Sequence, residues 1–337
     1  MPYYTGVSNS YADLITALTN GCTANGWTWA DGILSKGSLY VKVTETTSSG
    51  SSVAGVLIQG GTSKTGATLN GGAWIKPKMS TPNTLLSVTW PVEYYLHIYT
   101  NPDEVYLVVR YNVDRFMWLT FGQSNIPGLT GTGLWTSASQ AERMVSTSIS
   151  TTPEPTNWWR ADYYNSAVGY HSTPGGSPGA VTCGGPFMAG DFNPQSSESS
   201  SNHTGYNSTI HTGYLTTAGG WTFYPWWGYS NGFADFGRFN GELITRSISV
   251  WSQESTLIPF SVYERRANSK VSLVMQPMAS RFCNVANYEP GQTITLGADK
   301  WRVYPFGKKN SSVMTVNGQY SGQDTGRLGW AIRYDGP

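Results

Sequence analysis

The chain has 337 residues, long enough for two domains and a large buried core, with 21 basic and 20 acidic side chains and a formal net charge of +1. Charged residues are 12% and aromatic residues 14%, which is about half the charge of an ordinary soluble domain. That balance excludes electrostatic binding of nucleic acid or an anionic membrane, and it excludes ordinary disorder, which goes with few aromatics and high charge. No run of 18 apolar residues occurs, so no membrane span is expected.

The first predicted element is a helix over residues 8–20. Ser8, Asn9 or Ser10 can cap it, Asp13 sits in its first turn, and Leu14, Ile15 and Leu18 form one apolar face. Asn20-Gly21 is expected to end it. Strands are predicted over 37–46, 53–59 and 84–89, separated by Gly and Ser clusters. A hairpin follows over 92–121. Leu96, Ile98, Val105, Leu107 and Val109 alternate, Asn101-Pro102-Asp103 is turn chemistry, and a third strand, 116–121, stops at Gly122. Hydrophobic periodicity then disappears from 148 to 240, where Pro, Gly, Ser and Asn surround Trp158-Trp159, Tyr163-Tyr164 and the run Trp221 to Tyr229. Strand chemistry returns at 243–251, 256–263, 272–275, 293–296, 301–304 and 328–334. The expected fold is all-β, mainly antiparallel, with sandwich-like domains, one short N-terminal helix and long Gly/Ser/aromatic-rich loops. The expected units are an N-terminal β domain (1–147), a loop-rich aromatic insertion (148–240) and a C-terminal β domain (241–337).

Several of these segments carry a resemblance. The hairpin reads Glu104-Val105-Tyr106, Val108-Val109, Tyr111-Asn112, Asp114, Trp118 and Phe121-Gly122. Before it come Tyr4-Thr5-Gly6, Ala12 to Ile15 and Asn25-Gly26-Trp27-Thr28. After it come PGQTITLG and DKWRVYP within Pro290 to Pro305, and the closing Gly329 to Asp335. In this order and spacing the chain resembles the structural proteins of tailed double-stranded DNA bacteriophages. The resemblance implies a virion component of the tail or baseplate, assembled in the host cytoplasm with copies of itself and with other tail or baseplate proteins. A host surface glycan or receptor is a further expected partner; nucleic acid is not. The alternatives are a receptor- or carbohydrate-binding tail module, a capsid decoration or head-tail joining protein and, last, a glycan depolymerase.

The residues themselves offer little catalytic chemistry. A glycosidase needs two carboxylates roughly 5–10 Å apart. Asp162, Asp191, Glu198, Asp235 and Glu242 lie in the aromatic middle, but turns favour such residues for local hydrogen-bonding reasons, and the regular turn spacing of a phage-type β-helix is absent. His97 alternates within a predicted strand and is expected to be structural, while His171, His203 and His211 lie in the loop region. The pattern G-x-S-x-G occurs at 175–179 and 228–232, in neither case between a strand and a helix, as a nucleophile elbow requires. Asp191, His203 and His211 fit no metal-ligand spacing. Cys22, Cys183 and Cys283 are far apart in sequence and are expected to be buried thiols. The first residues carry neither a basic nor an apolar leader. No enzymatic activity, cofactor or metal is therefore expected. The candidate interaction surface is aromatic: Trp158, Trp159, Trp226, Trp227 and Tyr229. Rings of this kind give large contact areas at low entropic cost; filling the core of the insertion is their other reading.

Overall fold

The computed structural model describes residues 1–48, 53–72, 76–81, 87–129, 131–141, 254–259, 262–266, 270–307, 309 and 328–336, with short strands between 170 and 223. In chain order the first elements are β1 (Tyr3–Ser8), α1 (Tyr11–Thr23), β2 (Thr28–Ala30), β3 (Ile33–Lys36), β4 (Leu39–Thr46) and β5 (Gly55–Gly61). A small hairpin, β6 (Ser63–Thr65) and β7 (Thr68–Asn70), precedes β8 (Pro77–Ser80). Then come β9 (Val92–Tyr99), β10 (Glu104–Asn112), β11 (Arg115–Gln123), β12 (Leu134–Ala138) and β13 (Gln140–Ala141). Short strands follow: β14 (Tyr170–His171), β15 (Gly179–Ala180), β16 (Phe187–Gly190), β17 (Leu215–Thr216) and β18 (Thr222–Phe223). The last group is β19 (Ile258–Pro259), β20 (Val262–Arg266), β21 (Lys270–Met275), β22 (Ser280–Asn284), β23 (Thr293–Leu296), β24 (Asp299–Pro305) and β25 (Leu328–Arg333). The fold is all-β and antiparallel, with α1 the one helix among the described residues.

Three sheets carry the architecture. The central sheet has the order β1-β9-β10-β11-β12-β16, the N-terminal sheet β13-β8-β5-β4-β3-β2, and the C-terminal sheet β19-β22-β25-β24-β23. The sequence of β9 to β11 explains why the central sheet lies in the middle. Leu96, Leu107 and Leu119 share one cross-strand row, and Tyr95, Val108 and Trp118 share the next. Successive rows point to opposite faces, and both sets are apolar. The leucine face, with Ile98, Val105, Val109, Met117 and Phe121, packs against α1 and the N-terminal sheet. The opposite face, with Tyr106, Val108, Phe116, Trp118 and Trp135, packs against Phe282, Tyr304, Phe306 and Trp330. The alternation read from the sequence marks only the first of these two cores.

Trp118 and Trp330 lock the second core. Their ring centroids are 4.9 Å apart, Tyr106 stands edge-on to Trp330 at 5.7 Å, and the Trp118 indole N–H donates to the Phe306 carbonyl at 3.0 Å. At one corner the chain crosses between sheets within a single residue. β12 belongs to the central sheet and β13 to the N-terminal sheet, and between them the Ser139 N–H donates to the Trp118 carbonyl at 3.0 Å.

The helix starts where Ser10 caps it. Its hydroxyl accepts from the Asp13 N–H at 3.1 Å, while the Asp13 carboxylate accepts from the Asn9 N–H at 3.0 Å. Ser8 instead ends β1, a strand that the hydrophobic pattern does not reveal because Gly6 interrupts it. A Cβ at Gly6 would meet the Tyr94 hydroxyl at 2.9 Å. The helix also continues past Asn20-Gly21 to Thr23. Gly21 is there for close approach: a Cβ would lie 2.5 Å from Leu96 Cδ2. Of the predicted strand 84–89, residues 84–86 lie outside the described residues and 87–89 lie outside any strand. Residues 243–251, the aromatic insertion apart from its short strands, and the unit boundaries at 147 and 240 lie outside the described residues. Cys22 and Cys283 are free and buried, and burial pushes both thiols up, so they stay protonated and unreactive; Cys183 is not among the described residues.

Leu14 and Leu18 are fully buried, with Trp27 in the same core. Leu14→Ala should therefore cost about 2–5 kcal/mol in a urea titration; a loss below about half a kcal/mol would contradict the packing of α1 on the sheets.

Candidate functional site

The side chains of Trp158, Trp159, Trp226, Trp227 and Tyr229 lie outside the described residues. So do Asp162, Asp191, Glu198, Asp235, Glu242, His203, His211 and most of both G-x-S-x-G segments. His171 sits in β14, its backbone paired with Gly179. No cluster of three or more His, Cys, Asp or Glu side chains able to hold a metal occurs among the described residues, and no described helix is long and apolar enough to cross a membrane.

Two buried polar groups stand out, both where the central and C-terminal sheets meet. Glu104 begins β10 and is 1% exposed. Its Oε1 accepts from the Met278 N–H at 2.7 Å; its Oε2 accepts from the Ala279 N–H at 2.8 Å and from the Tyr106 hydroxyl at 2.8 Å. Tyr106 also shares a hydrogen bond with Ser280 at 3.0 Å. Burying an unpaired carboxylate costs several kcal/mol, which three hydrogen bonds to a charged acceptor, at roughly 1.5–3 kcal/mol each, can offset. Burial still outweighs them and raises the Glu104 pKa above its ordinary 4.5, against the lowering effect of those hydrogen bonds and of Arg281. The carboxylate is a clamp between the hairpin and the turn before β22, with its lone pairs committed inward.

His97, expected from its place in the strand pattern to be structural, is fully buried in β9. Its Nε2 pairs with the Tyr304 hydroxyl at 2.9 Å, and the rings of Tyr3 and Tyr304 lie 4.8 and 5.6 Å away. Burial, with the Arg302 guanidinium second, pushes its pKa down to about 3. Arg302 lies between the same Tyr3 ring, 4.4 Å away, and the Tyr334 ring, 4.2 Å away, and donates to both hydroxyls. This cluster joins β1 to the C-terminal sheet.

The outward-facing apolar groups lie at sheet edges and in two turns. Five large apolar side chains are exposed among the described residues: Val7, Trp29, Val113, Met278 and Leu296. Val7 lies on β1, Trp29 on β2 and Leu296 on β23, each the terminal strand of one of the three sheets. Edge strands carry unpaired backbone groups and are natural docking lines; soluble proteins usually blunt them with charge or proline. Sequence reasoning passed over these positions because a single exposed apolar residue is ordinary. The signal that could have found Glu104 was the second of two adjacent acids, Asp103 and Glu104, standing at the head of the uncharged run Val105 to Val109. In comparisons with known proteins, no family model matches the chain and no curated protein matches it.

Glu104→Ala takes the acceptor from the Met278 and Ala279 N–H groups, leaves the Tyr106 hydroxyl only Ser280, and should cost about 3 kcal/mol. Because the folded-state pKa is raised, folding takes up a proton above pH 4.5, and the stability linked to that proton is complete below 4.5 and lost as pH rises through the folded value. The deficit of the variant should accordingly be largest in acid and shrink with rising pH; a deficit growing with pH would mean that the carboxylate is held charged. His97 has the opposite sign. Its depressed pKa gives stability that is present above the ordinary 6.5 and lost as pH falls toward 3. In urea titrations His97→Gln should flatten that acid limb, and an unchanged slope would place the acid sensitivity elsewhere.

Proposed function

We propose that this chain is a structural component of a tailed-phage virion, in the tail or baseplate, and that it works by protein–protein assembly. The observation that carries this reading is that each of the three sheets ends on a strand with an exposed large apolar residue: Val7, Trp29 and Leu296. The buried acid and the buried histidine among the described residues, Glu104 and His97, are turned into the interior, where they hold sheets together. The near-neutral, aromatic-rich composition suits protein surfaces. The sequence resemblance supplies the virion context. The uncharged aromatic run Trp221 to Tyr229 supports a second reading, a receptor- or carbohydrate-binding tail module, because such rings make anchors for both proteins and sugars.

The test is to purify particles from cells infected with a phage encoding this chain, quantify the chain by mass spectrometry and locate it by antibody labelling. A fixed stoichiometry with label at the tail is expected. Expression in infected cells with absence from purified particles overturns the reading, and label confined to the head moves it to decoration or joining. Trp226→Ala and Trp227→Ala separate the two readings of the aromatic run. Interface residues should lose incorporation or adsorption while the soluble protein keeps its fold; loss of folding instead makes the rings core.

A further inference from the structure

The geometry points to β1 as the edge through which two copies of this chain join, strand against strand, about a two-fold axis at Thr5. This deepens the assembly reading and rests on it.

The direction of the free backbone groups follows from the ladder. The Ile98 N–H donates to the Pro2 carbonyl at 3.0 Å, so Pro2 and Ile98 form a hydrogen-bonded pair. Such pairs recur at every second position of an antiparallel ladder. With the register Tyr4↔Leu96, Gly6↔Tyr94 and Ser8↔Val92, the even residues bond to β9 and Tyr3, Thr5 and Val7 turn their N–H and C=O groups outward. Among the described residues no strand pairs with that side. β1 is six residues long, roughly 20 Å of edge, with no Lys, Arg, Asp, Glu or Pro between Tyr3 and Ser8. Neither charge nor proline, the usual side-chain devices that keep an edge from pairing, is present within it.

The surroundings specify a second copy as the occupant. A two-fold axis at Thr5 places Thr5 opposite Thr5 of the other copy and Val7 opposite its Tyr3. Isologous pairing of this kind is the commonest way identical chains associate. Across the sheet, Val7 stands beside Glu93, which is ion-paired to Arg110 at 3.5 Å. On the far side of the axis, Tyr3 of the second copy carries Arg302 stacked on its ring. The joined row therefore runs Arg110, Glu93, Val7, Tyr3, His97, with the apolar pair at its centre, and the axis repeats it. Helix α1 flanks the edge, and Asp13 is its only charge. Two six-stranded central sheets become one continuous sheet.

Register makes the proposal testable on the full-length chain. Sedimentation should show a species of twice the chain mass. Thr5→Pro removes an outward N–H and the exposed hydrogen bond from the Thr5 hydroxyl to the Tyr94 carbonyl at 2.9 Å, and the ladder to β9 stays whole, so the circular dichroism spectrum should be unchanged while the protein becomes monomeric. Thr5→Cys brings two thiols to opposed positions about 5.5 Å apart between Cα atoms, within disulfide reach. Under mild oxidation it should form a covalent dimer that wild type does not. Val7→Cys is the control: four residues, about 14 Å, separate it from its own counterpart, and it should not cross-link. A wild-type monomer at high concentration overturns the proposal, as does association indifferent to Thr5→Pro with no Thr5→Cys dimer, or equal cross-linking of both cysteine variants. If Thr5→Pro does not fold, the two cysteine variants alone decide. The outcomes also separate the two readings. A chain that is present in particles but associates without β1 removes this edge and leaves the assembly function; a β1 dimer absent from particles removes the virion placement.

Discussion

Burial of the central sheet on both faces is the constraint from which the rest of the structure follows. In an ordinary two-layer sandwich one face of a strand is apolar and the other meets water. Here β10 is buried almost from end to end, because Val105, Leu107 and Val109 belong to one core while Tyr106 and Val108 belong to another. A strand in that position has no place for a charge, yet Glu104 opens it. The conflict is resolved by the chain before β22, which supplies two backbone N–H groups to the carboxylate. The C-terminal segment is thereby tied to the hairpin both by its rings and by a polar contact that tolerates no other register.

The two cores differ in texture. The first is mainly aliphatic and is closed by α1, whose approach depends on the absence of a side chain at Gly21. The second is aromatic, with Trp118, Trp135, Trp330, Tyr106, Tyr304 and Phe306 all fully buried. Large rings pack edge-to-face and gain beyond their area from that geometry, which suits a seam between two sheets joined by residues far apart in sequence. His97 and Arg302 stay in this seam by surrounding themselves with tyrosines, the histidine neutral and the guanidinium between two ring faces.

Much of this was legible in local pattern, and the misses have physical causes. The hairpin over 92–121, its turn at Asn101-Pro102-Asp103, the helix with Leu14 and Leu18 inward, and the strands at 293–296, 301–304 and 328–334 all rest on period-2 or 3.6 spacing and turn chemistry, and the structure contains each of them. β1 was invisible because its glycine serves a tertiary contact with Tyr94 that leaves no periodic trace. β22 sits inside the C-terminal sheet, yet Ser280 to Asn284 alternates too weakly to announce a strand. The helix ran past its expected stop because a glycine chosen for close packing looks the same in sequence as one chosen to end a helix. Likewise no local rule tells that Tyr106 and Leu107 face separate cores.

The scarcity of charge links interior and surface. A chain with 12% charged residues can line two cores with aromatic and aliphatic side chains, but it has few left to guard its edges. β1 and β23 contain none, and each exposes a large apolar residue in its place. Edges that are long, uncharged and unpaired lead either to a specific partner or to uncontrolled association. Selection against the second outcome ordinarily introduces lysine or proline. Their absence from Tyr3–Ser8 leaves the outward backbone groups of that edge open to a partner strand.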